Sequence, residues 1–210
     1  MAKRGHEHEN IIVSSIFREG GKMKNPVSLP LLALLGVLCS LASVLLAPSA
    51  QCAELPQKDS QLPPFELPAP SAEIDQQYLG VKPPAFAPKD VAGQVLLVEI
   101  LGVYCPLCYQ QAPLFNKLYG RIQKKSLGDR VKMLGIAIGA TTVEVEHLRK
   151  SGSYEYPIVR DESFVVHKLL GEPRTPFTML LSKDGKVLHT HLGVIEDIDA
   201  FFQLIQDLAK

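Results

Sequence analysis

A nearly unbroken apolar run, Val95 to Leu101, is interrupted only by Glu99 and leads directly into the pair Cys105-Pro106-Leu107-Cys108. Seven consecutive residues of this kind are too short for a buried helix with its turns and read as a strand covered on both faces. Beyond the cysteines, apolar residues recur at Leu114, Phe115, Leu118, Tyr119 and Ile122, the stripe of an amphipathic helix. The cysteines therefore stand where a buried strand hands over to a helix. A helix start directs unpaired N–H groups and the positive end of its dipole at Cys105, which stabilises the thiolate, the reactive form. Cys108 lies one turn further on the same face, within reach of a mixed disulfide formed at Cys105.

The bland readings of such a pair are weak here. A zinc site needs four ligands, and no second Cys-x-x-Cys exists. A c-type haem motif needs a His where Tyr109 stands. As a structural staple the pair closes too small a loop to stabilise a domain. Redox exchange between the two sulfurs is the reading that remains.

The flanking sequence sets the fold class. Val131–Ile138 reads as a second buried strand. Thr142 is expected to cap a helix running to about Arg149, with Glu144 and Glu146 near its positive end. Ser163–Leu170 reads as a short helix closed by Gly171. Phe177–Leu181 and Lys186–His191 are two strands joined across Asp184-Gly185, a hairpin signal. Ile195–Leu208 is a terminal helix with an apolar face of Ile198, Phe201, Phe202, Leu204, Ile205 and Leu208. Upstream, Phe65–Leu67 and Ala85–Ala87 read as short edge strands, and Lys89–Val91 as a single helical turn. The order β-α-β-α, then an antiparallel β-β, then α, predicts an α/β fold: a central mixed β-sheet flanked by helices on both faces.

The N-terminal quarter is of another kind. Leu31–Ala47 carries no charge and is almost wholly apolar, with Lys22 and Lys24 before it and Ala47, Ser49, Ala50 and Ala53 after it. Its length lies between an export signal and a membrane span. Residues 23–53 are read as a cleaved signal peptide, with a retained N-terminal anchor, or lipidation at Cys52, as the alternatives. Residues 1–22 fit no export pattern, and Met23-Lys24 opens an ordinary signal, so the native start is expected at Met23. Residues 54–72, rich in Pro and polar side chains, read as a linker, and 73–210 as the folded domain. Lys+Arg and Asp+Glu balance at 22 each. Such a chain offers no field for nucleic acid.

With these residues in place, the segment VEILGVYCPLCYQQAP resembles the active-site block of the thioredoxin superfamily, and the region 85–210 looks most like its TlpA-like branch. Glu99 falls where the superfamily keeps a buried carboxylate, and Tyr104 where it usually has Trp. Pro113 matches the proline at which its helix is kinked, and Thr175-Pro176 matches its cis-proline element. The resemblance implies a thioredoxin-like fold and an exported thiol–disulfide oxidoreductase without cofactor or metal. It implies catalysis by Cys105 and Cys108 through a redox-active disulfide, with Glu99 moving a proton to or from Cys108 through water. A buried Glu99 would have a raised pKa. Tyr104, Pro106, Leu107, Thr175 and Pro176 would face the substrate, and the Thr175 backbone would pair with a bound peptide as an added strand. Implied partners are protein disulfides, such as an apocytochrome c or another thioredoxin-like protein, and a membrane electron donor. The implied place is the bacterial periplasm or the outer face of the cytoplasmic membrane. One position departs from the branch: three residues after the second cysteine it commonly has Glu, and here stands Gln111, so no acid–base role passes to it.

Because Pro106-Leu107 brings no charge to the thiolate, the pair reads as a reductant rather than a strong oxidant. Two rivals remain open. A peroxiredoxin-type peroxidase shares the fold but wants Pro-x-x-x-Thr-x-x-Cys, absent before Cys105. A Cu(I)-handling chaperone would use both thiolates and a distant His. His189 and His191 alternate on one strand, where a solvated face is the simpler reading.

Overall fold

The computed structural model describes residues 54–124 and 127–210; the apolar leader with Cys39 and Cys52, and the expected start at Met23, lie outside them. The chain builds β1 (Leu67–Pro68), α1 (Glu73–Leu79), β2 (Ala85–Phe86), a 3-10 turn (Pro88–Asp90) and β3 (Val95–Gly102). There follow α2 (Pro106–Lys124), β4 (Val131–Ile138), α3 (Thr142–Lys150), β5 (Ile158–Asp161) and α4 (Val165–Leu169). The chain closes with β6 (Phe177–Ser182), β7 (Val187–Leu192) and α5 (Ile198–Leu208). Five strands form one sheet in the order β5-β4-β3-β6-β7. β3, β4 and β5 run parallel, while β6 and β7 are antiparallel to their neighbours, so the sheet is mixed as expected.

β3 is the central strand, and this explains its composition. Val95, Leu97 and Leu101 point into one apolar cluster with Cys108, Phe115 and Leu118 of α2 and Phe201, Phe202 and Ile205 of α5. Leu96, Val98 and Ile100 point the other way, among Leu79, Val166 and Leu170 from α1, α4 and its end. With both faces covered, period-two alternation between polar and apolar residues vanishes. Glu99 shares its face with Leu97 and Leu101 by the same alternation.

Several boundaries differ from expectation, each for a local reason. Thr141, not Thr142, caps α3: its Oγ1 accepts from Glu144 N at 3.3 Å, and Glu144 Oε2 accepts from Thr141 N at 2.8 Å, a reciprocal capping box. α5 begins at Ile198 rather than Ile195, because Asp197 Oδ1 caps Ala200 N at 2.9 Å and the Ile195 N–H is committed to Gln111.

Two elements were not expected at all. β5 is four residues long, too short to show a period, yet Ile158 and Val159 are buried. α1 ends on Gly80, whose φ of 70° is left-handed and suits a residue without Cβ. α1 is tied down from afar: buried Asp75 takes three bonds from the Arg149 guanidinium, 2.6 and 2.9 Å from Nη2 and 3.1 Å from Nε. The segment read as a linker lies along the domain. Asp59 N and Val187 N exchange bonds with the carbonyls of Val187 and Ser60 at 2.8 and 2.9 Å, and Leu67 is buried against Phe86 in the second core.

Candidate active site

β3 ends at Gly102, and α2 begins at Pro106, so Cys105 stands immediately before the first helical turn. Pro at the first helical position costs no hydrogen bond, because that N–H has no partner within a helix. Cys105 and Cys108 are joined as a disulfide with their Cα atoms 5.2 Å apart. The two sulfurs are not equivalent. Cys105 is half-buried, while Cys108 is fully buried in the core below. The Cys108 backbone N–H points at Cys105 Sγ from 3.2 Å, a donor from the helix start placed to stabilise a thiolate there.

Thr175-Pro176 lies across from this sulfur. Its peptide bond is cis, and the Thr175 carbonyl oxygen is 3.5 Å from Cys105 Sγ. Gly102 completes the close approach: a Cβ there would stand 3.4 Å from Cys105 Cβ and 3.5 Å from Thr175 Oγ1. Tyr104, Pro106 and Leu107 are exposed beside the disulfide, Tyr104 at 84%. The Tyr104 hydroxyl donates to Glu144 Oε1 at 2.7 Å, which links the loop before the disulfide to the start of α3. Tyr109 pins the same loop by donating to the Val103 carbonyl at 2.7 Å.

Beneath the disulfide, Glu99 is fully buried, and each carboxylate oxygen has a donor. Gln111 Nε2 donates to Oε1 at 2.8 Å, and the Tyr156 hydroxyl donates to Oε2. Burial pushes the Glu99 pKa up to about 7, against the opposing pull of the bonds from Tyr156 and Gln111. Burial, and then the Glu99 charge, push Tyr156 well above the ordinary tyrosine range, so its hydroxyl keeps its hydrogen. Gln111 is held in turn: its Oε1 accepts from Ile195 N at 3.0 Å, and Nε2 also lies 3.5 Å from Thr178 Oγ1. Tyr154 donates to the Cys108 carbonyl at 3.5 Å.

The structure thus brings Glu99, Cys105, Cys108, Thr175 and Pro176 to the place where β3 meets α2, with Tyr104, Pro106 and Leu107 on its open side. Sequence reasoning did not find Tyr156, Gly102 or Thr178, and gave Gln111 no role. Gln111 had one legible signal, its departure from the TlpA-like pattern; Tyr156 had none. His189 packs against Phe201, and His191 Nε2 lies 3.2 Å from the Val194 carbonyl. Among the described residues no three His, Cys, Asp or Glu side chains are grouped to hold a metal.

The sequence profile of the family described as Redoxin matches residues 57–204, most of the chain and all of the site. The chain belongs to the Redoxin family. The chain is also similar to thiol-disulfide oxidoreductases named ResA. That of Geobacillus thermodenitrificans is 29% identical over 119 residues, 56% of this chain and 66% of that one. That of Halalkalibacterium halodurans is 23% identical over 120 residues, with 56% and 66% covered. The chain thus spans less than two thirds of the length of these curated relatives. Among solved structures, a candidate thiol:disulfide interchange protein DsbE from Chlorobium tepidum superposes with a TM-score of 0.59 at 21% identity, covering 74% of this chain and 99% of that one. This likeness establishes the thioredoxin-like fold of this Redoxin-family chain.

Proposed function

We propose that the protein is an exported thiol–disulfide oxidoreductase that reduces protein disulfides through Cys105 and Cys108. The observation that carries this reading is the asymmetry of the pair: one sulfur half-buried under a helix-start N–H, the other fully buried. In the reduced protein the Cys105 thiolate attacks a substrate disulfide, forming a mixed disulfide and releasing one substrate sulfur as thiolate. Glu99, as carboxylate, takes the proton of the Cys108 thiol. The Cys108 thiolate then attacks Cys105 Sγ, re-forming the internal disulfide and releasing the second substrate sulfur. Two electrons pass to the substrate, and a dithiol donor restores Cys105 and Cys108. A carboxyl that titrates near 7 exchanges its proton in either direction at neutral pH.

The open side fits a polypeptide substrate. Tyr104 and Leu107 offer exposed apolar surface, and Thr175 offers backbone for strand addition. Export is supported by the apolar stretch Leu31–Ala47. The substrate class favoured is a protein disulfide outside the cytoplasm, wrongly formed or of apocytochrome type, with a membrane donor returning electrons to Cys105 and Cys108. The uncharged Pro106-Leu107 favours a reductant, and a potential above roughly −150 mV would contradict that direction. Trapping tests the reading: Cys108→Ser accumulates mixed disulfides between Cys105 and its substrates. Equal trapping by Cys105→Ser reverses the assignment of attacking and resolving sulfurs.

A further inference from the structure

The hydrogen-bond pattern around Glu99 is directional, and the direction follows from which atoms can only donate. The Ile195 backbone N–H cannot accept, so the Gln111 atom facing it at 3.0 Å is the amide oxygen. That fixes the amide, and its NH2 group is the one turned to Glu99 Oε1 at 2.8 Å. An amide nitrogen has no lone pair to offer a proton, so Oε1 cannot carry a hydrogen pointed at Gln111. At the other oxygen stands the Tyr156 hydroxyl, which both donates and accepts. Among the described residues every buried side-chain nitrogen and oxygen has at least one hydrogen-bond partner, those of Glu99, Gln111 and Tyr156 included.

We propose that Gln111 and Tyr156 are positioning residues that make Glu99 a one-ended proton carrier, with its proton always on Oε2 and shared with the Tyr156 hydroxyl. In the ionised state both residues donate, one to each oxygen. When the proton arrives from Cys108, Gln111 keeps donating to Oε1. Tyr156 turns its hydroxyl and accepts from Oε2–H. In both states each residue keeps one bond to the carboxyl without a heavy atom moving, and the neutral state turns the Tyr156 hydrogen away from Oε2. The other titratable group acting with this carboxyl is Tyr154, from the segment before β5, whose hydroxyl donates to the carbonyl of Cys108, one turn before Gln111 on α2. Thr178 of β6 and the Ile195 amide before α5 are neutral. The cation acting on Tyr156 is Arg149 of α3, which is itself paired with Asp75.

The inference rests on Glu99 as proton carrier, and the test separates the two. Infrared difference spectra of the full chain, titrated between pH 5 and 9, follow the protonated Glu99 carboxyl directly, with Glu99→Gln identifying its band. Loss of the Tyr156 donor in Tyr156→Phe is expected to raise the midpoint by about one pH unit, the size of a hydrogen bond to a charged group partly regained in the neutral state. Site-specific 3-fluorotyrosine at 156, nearly isosteric and a stronger donor, is expected to lower it. Midpoints unchanged in both variants would overturn the proposal, since a packing role alone moves stability and not the titration. If the infrared midpoints shift while the pH profile of disulfide reduction stays fixed, the clamp stands and the proton-carrying role of Glu99 falls.

Discussion

Glu99 is the residue at which sequence, burial and chemistry meet, and its placement has a thermodynamic consequence. Its pKa is about 7 in the folded protein, against 4.5 for an ordinary glutamate. Below about pH 4.5 both folded and unfolded chains hold the proton. As pH rises, the unfolded chain ionises first, so stability falls until the folded carboxyl also ionises near 7 and is level above that. The shift corresponds to ~3 kcal/mol across the window. Glu99→Gln keeps a polar side chain of the same size and removes the ionisation. Urea unfolding of the two proteins at pH 4.5 and pH 8 is expected to show the variant losing ~3 kcal/mol less over that range. Equal losses would place the carboxyl in contact with water in the folded state. The acid itself was legible, because a lone carboxylate in an apolar strand is conspicuous. Its partners were not: Tyr156 lies 57 residues away and carries no local pattern that points to position 99.

At the scale of elements, the long periodic pieces declared themselves. β3, α2, β4, the β6–β7 hairpin and α5 all follow from apolar spacing and turn chemistry. What escaped was held by long-range contacts. α1 sits in Pro-rich sequence, and its anchor is Arg149, 74 residues on, which also donates to the Tyr154 carbonyl at 2.8 Å. Removing one member of such a buried pair strands the other charge. Arg149→Met is expected to cost ~3 kcal/mol in urea unfolding. The exposed pair Arg121–Asp199, at 2.6 Å, serves as control, and Arg121→Met is expected to cost under ~1 kcal/mol through the ion pair. Similar costs for the two would mean that Asp75 is adequately solvated without Arg149. β5 escaped for a simpler reason: four residues that, among the described residues, pair with β4 alone show no period and need the sheet to define them.

Across the described residues, the fold is a two-sided sheet whose central strand carries one carboxyl and leads straight into the two sulfurs. The stretch 57–68 takes part in this domain, and Leu67, 1% exposed, fills the second core. Leu67→Ala is expected to destabilise the protein by ~2–4 kcal/mol in urea unfolding, with the reduced Cys105 remaining as reactive as before. A cost near zero would show that this stretch is a spacer after all. In the proposed function the partly exposed sulfur beneath the Cys108 N–H attacks and the buried sulfur resolves. The direct measurement is competitive alkylation: the reduced protein receives a brief pulse of iodoacetamide between pH 5 and 9, and labelled peptides are counted by mass spectrometry. Cys105 is expected to be labelled at least about tenfold faster than Cys108, with a midpoint below the free-thiol value of about 8.5. Equal labelling, or faster labelling of Cys108, would contradict it.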